Sequence, residues 1–151
     1  MTAQASAPAA TLRLANMAWP VAIGTAARLS KVSAKMVRHY ESLGLLAPVA
    51  RTEGGYRQYS EADVRTLQFI KRGRDLGFSM VEIAELVSLW RKRTRASASV
   101  KRIAQKHVNE LAQRIDAMQA MQRTLLVLLS HCHGDERPDC PILDDLAGQC
   151  C

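Results

Sequence analysis

Residues 31–60 read KVSAKMVRHYESLGLLAPVARTEGGYRQYS. Ser33 is a good N-cap and Gly44 a good residue to follow a helix end, so a short helix is expected between them. The preceding stretch VAIGTAARLS (21–30) places small and apolar residues at Ile23, Ala26, Ala27 and Leu29, which suits a first helix. Two helices joined by so tight a turn form a helix-turn-helix candidate, although short helix pairs occur in cores of every kind. The second helix carries Lys35, Arg38, His39 and Tyr40 as donors for a groove or a phosphate, with Met36, Val37 and Leu43 expected to face inward. Beyond it, Gly54 and Gly55 lie between residues of strand type, and glycine permits the positive φ of a tight hairpin. Arg51, Tyr56, Arg57 and Tyr59 decorate that hairpin. It is either a wing that hydrogen-bonds phosphates or an ordinary surface hairpin with Tyr56 packed on the core.

Working outward, Ser60 with Asp63 and Ser79 with Glu82 are capping boxes that start two further helices, and Gly77 stops the first of them. Val64, Leu67, Ile70, Ile83, Leu86 and Leu89 recur at helical spacing as expected core residues. From Ser97 to Ser130 the pattern changes to steps of four and three through Ala104, Val108, Leu111, Ile115, Met118, Leu125 and Leu129, with Gln122 the polar residue on the seam. That is a heptad coiled coil, and a lone helix cannot bury its stripe; a second chain does so more readily than the small front domain. Met118 and Met121 read as seam residues rather than thioether ligands.

At 151 residues the chain holds one modest domain plus an elongated element. No run approaches the roughly 18 apolar residues of a membrane span. Residues 1–19 are Ala-rich, lack the features of a signal peptide and read as a disordered extension, so a cytoplasmic protein is expected. The net charge of +7 is unevenly placed: residues 20–78 carry ten Lys/Arg against five Asp/Glu, and residues 131–151 one against five. A basic front beside an acidic tail points either to a polyanionic partner or to a solvated basic surface. The chain offers no nucleophile, base and oxyanion set, no phosphate-cradling glycine loop and no credible carboxylate pair, so an enzyme is not expected.

Cys132, Cys140, Cys150 and Cys151 all fall in the last twenty residues. Without signs of export they suit metal binding or redox sensing rather than structural disulfides. The spacing between Cys132 and Cys140 matches neither a zinc pattern nor an iron–sulfur set. Two thiolates suit a soft monovalent ion such as Cu(I), which accepts low coordination. His131 and His133 are either additional ligands or solvated neighbours. Cys150 and Cys151 either capture metal in transit or are incidental. A thiol redox sensor and a cytosolic copper-binding protein remain alternatives.

Four stretches, MVRHYESLGLL, RTEGGYRQYSEADV, SASVKR and CHGDERPDCPILDDLAG, together resemble the MerR family of metal-responsive transcription regulators, in its copper-responsive, CueR/HmrR-like branch. The resemblance covers nearly everything after residue 20. It implies a mostly α fold: a winged helix-turn-helix domain with following helices (20–90), a linker and long antiparallel coiled-coil dimerisation helix (91–130), and a metal-binding loop and tail (131–151). Arg38, Tyr40, Tyr56 and Arg57 match family DNA contacts, as do Lys35 and Arg51 more loosely. Cys132 and Cys140 match the metal ligands. Ser97 stands where divalent-metal members carry a third cysteine from the other subunit, and Lys101 matches a lysine that balances thiolate charge. The implied activity is activation of copper-resistance and efflux genes when Cu(I), or Ag(I) or Au(I), binds. A homodimer would then distort an overlong promoter spacer so that RNA polymerase engages both promoter elements of the double-stranded DNA.

Overall fold

The structure, a computed structural model, describes residues 17–92, 97–132, 134 and 139–148. It divides into two compact units that change over between Ser97 and Ala98.

In the first unit, β1 (Val21–Ala22) runs directly into α1 (Ile23–Ser30). Lys31 then takes a left-handed conformation, φ 57°, and the Val32 amide donates to the Ala27 carbonyl at 3.2 Å. This tight turn delivers Ser33 as the cap of α2 (Ala34–Ser42), where its Oγ accepts from the Met36 amide at 3.3 Å. At the far end the Leu45 amide donates to the Tyr40 carbonyl and the Gly44 amide to that of Glu41. With Gly44 at φ 71° this is a Schellman ending, which turns the chain so that Leu45 and Leu46 enter the core. Leu43, expected inward, is 51% exposed: it is the last residue before the reversal, and Leu45 and Leu46 are buried instead.

The hairpin follows as β2 (Ala50–Arg51) and β3 (Arg57–Tyr59), turned at Gly55, φ 81°. β3 is the central strand of an antiparallel sheet in the order β1-β3-β2, with Val21 opposite Tyr59 and Arg51 opposite Arg57. The two residues of β1, read from the sequence as the start of the first helix, are too few to show a strand period; their pairing with β3 makes them a strand. α3 (Glu61–Asp75) and α4 (Met80–Arg91) both start in complete capping boxes, from Ser60 with Asp63 and Ser79 with Glu82. A second Schellman ending at Gly77 closes α3.

Val37, Tyr59, Val64, Leu67, Ile70 and Ile83 are wholly buried in one cluster that joins α2, β3, α3 and α4. On α4 the inward partner of Ile83 is Val87, while Leu86 and Leu89 are half-buried at the flanks of the stripe. A Cβ on Gly73 would lie 3.1 Å from the Ile83 side chain, so the glycine permits the close crossing of α3 and α4. Residues 1–16 lie outside the described residues. Met17 and Trp19, just ahead of Pro20, pack partly buried against the core.

The second unit is built on α5 (Ser97–His131), 35 residues long, and ends in the short α6 (Pro141–Leu146) with proline in its first turn. Val108, Ile115, Met118, Leu125 and Leu129 are each at least half exposed in the single chain. Among the described residues no helix is long and apolar enough to cross a membrane. Leu67→Ala, at the centre of the first unit, is expected to lower its unfolding free energy by about 2–5 kcal/mol, measured by urea denaturation followed by circular dichroism; Leu125→Ala on the open stripe should leave that transition in place.

Candidate nucleic-acid interface and metal loop

Helical periodicity sorts the side chains of α2. At about 100° per residue, Lys35, Arg38 and His39 share one face, opposite Val37 and Tyr40. The structure follows that division: the first three are exposed and the last two buried. Tyr40, expected as a donor for a groove or a phosphate, is 4% exposed and belongs to the core cluster, because its phase on the helix is close to that of Val37.

In the hairpin, the Arg51 Nη1 donates to the Gly55 carbonyl at 3.1 Å and the Tyr56 amide to Thr52 Oγ1 at 3.2 Å, which brace the turn from inside. Tyr56 is 75% exposed, so the alternative in which it packs on the core does not hold. Lys35, Arg38, Arg51 and Tyr56 are thus all offered to solvent from two neighbouring elements.

Arg57 has a further engagement that composition did not reveal. Its Nε donates to Glu41 Oε2 at 2.9 Å and to Oε1 at 3.2 Å, and the Tyr59 hydroxyl donates to the same Oε2 at 3.2 Å. Arg57 and Tyr59 alternate along β3 and therefore share a face; Glu41 sits in the last turn of α2. Sequence reasoning passed over Glu41. The signal that could have found it is an acid on an otherwise basic helix, followed by Arg-x-Tyr on the next element. Burial pushes the Tyr59 phenol from its ordinary 10.0 up to about 12; the Glu41 charge and hydrogen bond add to this, and the Arg57 and Arg38 charges oppose it.

At the other end of the chain, Cys132 directly follows the last residue of α5 and Cys140 occupies the N-cap of α6. Both are free thiols and half-buried. The Cys132 amide donates to the Leu129 carbonyl, and the Cys140 carbonyl accepts from Asp144, so both backbones are tied to helix ends. The Cys140 side chain makes no capping hydrogen bond. Two soft donors on helix termini, with the Cys140 sulfur not engaged in capping, fit a thiolate-preferring metal ion. His131 Nδ1 lies 2.8 Å from the Val127 carbonyl, which leaves Nε2 as its nitrogen for a ligand. His133, Cys150 and Cys151 lie outside the described residues. Ser97 and Lys101 are exposed on the opening turns of α5, so Lys101 and Cys132 stand about 45 Å apart along one helix. Within one chain the structure does not bring them together.

The family profile described as "MerR HTH family regulatory protein" matches residues 21–89, and the one described as "MerR, DNA binding" matches residues 64–128. The chain is 55% identical over 125 residues to the transcriptional regulator HmrR of Sinorhizobium medicae, covering 83% of this chain and 85% of that one. It is 39% identical over 128 residues to CueR of Escherichia coli, covering 85% and 95%. Among solved structures, a transcription regulator of Ralstonia metallidurans in complex with lead(II) matches with a TM-score of 0.74 at 29% identity, covering 83% of this chain and 98% of that one.

The raised Tyr59 pKa fixes the sign of an alkaline effect. A phenol that is harder to ionise when folded stabilises the fold fully below its unfolded value of 10.0, and that contribution is lost as pH rises through about 12. Tyr59→Phe is therefore expected to flatten the decline of the urea midpoint between about pH 9 and pH 11.5 relative to the parent chain; equal slopes for both proteins would contradict the assignment.

Proposed function

Because the chain belongs to the MerR family of helix-turn-helix regulatory proteins, which are DNA-binding and non-enzymatic, we propose that it is a cytoplasmic, homodimeric activator of copper-resistance and efflux genes that responds to Cu(I), or to Ag(I) or Au(I), through Cys132 and Cys140. In this reading residues 20–90 recognise promoter DNA, residues 91–130 link and dimerise, and residues 131–151 sense metal. The carrying observation is the pair of free, half-buried cysteines, one directly after the last residue of α5 and one at the N-cap of α6.

Lys35, Arg38, Arg51 and Tyr56 supply the phosphate and groove contacts. Their exposure on α2 and the hairpin supports this role. Arg57 joins them through its guanidinium edge, one nitrogen of which is already committed to Glu41. The open stripe on α5 supports pairing with a second copy. An antiparallel pairing answers the separation of Lys101 from Cys132, because it brings the opening turns of one α5 beside the closing turns of the other. Ser97 and Lys101 of the partner subunit then flank the thiolates: the serine withholds a third sulfur ligand and the lysine offsets negative charge. A two-sulfur set favours a monovalent ion over a divalent one, which seeks more ligands. Bound there, the ion supplies a cross-link between the end of α5 and the start of α6. The states with and without it differ in how the dimer bends and untwists promoter DNA, and RNA polymerase reads that difference.

Anaerobic titration with Cu(I), paired with in vitro transcription from a duplex selected by the protein from a randomised library, tests the reading. Cys132→Ser should abolish metal-dependent transcription and leave duplex binding within about twofold. Full activation by the variant, or activation of the parent by an oxidant but not by Cu(I), would overturn the metal assignment. Arg38→Ala should weaken binding to the duplex and reduce the slope of log K against log salt by about 1; an unchanged slope removes Arg38 from the phosphate contacts.

A further inference from the structure

We propose that Glu41 is a positioning residue for DNA recognition: its carboxylate locks the hairpin to α2, so that the two sets of DNA-facing side chains meet the duplex at a fixed separation. The proposal rests on the reading of α2 and the hairpin as the DNA-contacting elements.

An acid on this face needs a reason. Three residues after Arg38 a free carboxylate would repel a polyanion, and simple electrostatics would favour its removal. Glu41 is instead held at three points, by both of its oxygens to Arg57 Nε and by Oε2 to the Tyr59 hydroxyl. Glu41 is 23% exposed and Arg57 33%, so the pair lies at the margin of the core, where screening is incomplete. Tyr59 is wholly buried, and its ring anchors β3 to the core cluster. The carboxylate is therefore gripped by one partly exposed and one buried donor on the same face of β3. The hairpin has few other restraints near its tip: β2 is two residues long and both are exposed, and the bonds of Arg51 and Thr52 stay inside the hairpin. Such a short ribbon is not rigid by itself. Glu41 thus ties the angle of the hairpin to the last turn of the helix that carries Lys35 and Arg38.

The test is Glu41→Gln, which keeps the shape of the side chain and removes its charge. Binding of the full-length protein to the duplex selected from a randomised library is measured at fixed salt, with thermal unfolding to confirm that the variant is folded at the assay temperature. Charge alone makes the variant bind tighter. The lock makes it bind about tenfold weaker, with hydroxyl-radical protection lost at the hairpin and retained at α2. Tyr59→Phe leaves the Glu41 charge in place and should shift affinity and footprint in the same direction by less, which carries the test if Glu41→Gln fails to fold. The pair Glu41→Gln with Arg57→Ala should be no weaker than the weaker single variant. Equal or tighter binding by Glu41→Gln with an intact footprint, or strictly additive effects in the pair, overturns the proposal while leaving the regulator reading in place. A parent protein without sequence-preferring duplex binding overturns both.

Discussion

The carboxylate of Glu41 ties the hairpin to the last turn of α2, beside the pairing of β3 with β1 and the burial of Tyr59 in the core. Strands of two and three residues make a sheet too small to be independently stable. What orients it is Tyr59, wholly buried in the core cluster, and the Glu41 oxygen shared by that phenol and Arg57. Burial of the phenol and its proximity to the carboxylate have one origin, and together they raise its pKa. Helical phase turns Lys35 and Arg38 outward, while a core residue and a partly buried ion pair hold the hairpin that carries Arg51 and Tyr56.

The second unit obeys a different constraint. Ile103 and His107 of the 35-residue α5 are buried, but from Val108 to Leu129 its apolar stripe is exposed and nothing within its own length covers it. A second copy resolves this, and in the proposed antiparallel arrangement the same pairing assembles the surroundings of the two cysteines from opposite helix ends. Under that proposal sensing and dimerisation are one structural problem, because residues of the second copy would complete the surroundings of Cys132 and Cys140.

Much of the fold was legible because it depends on local chemistry. Ser33, Ser60 and Ser79 cap helices, Gly44 and Gly77 end them through Schellman bonds, and Gly55 turns the hairpin; each of these is decided by a few adjacent residues. The heptads of α5 were equally plain, since a period repeated over many turns averages out exceptions. Cys132 and Cys140 stood out by spacing and by the family resemblance.

The remainder depended on contacts between distant residues. β1 exists because two residues at 21–22 pair with 58–59. Leu43 is exposed at the Schellman reversal while Leu45 and Leu46 are buried instead, and Tyr40 turns inward because its helical phase is close to that of Val37. The engagement of Arg57 and Tyr59 by Glu41 spans sixteen and eighteen residues. Sequence by itself determined the helices, their ends and the residue types available for DNA and metal. Only the tertiary structure decided which of those side chains point outward and which acid binds them, because orientation is set by packing across the chain and packing has no local signature.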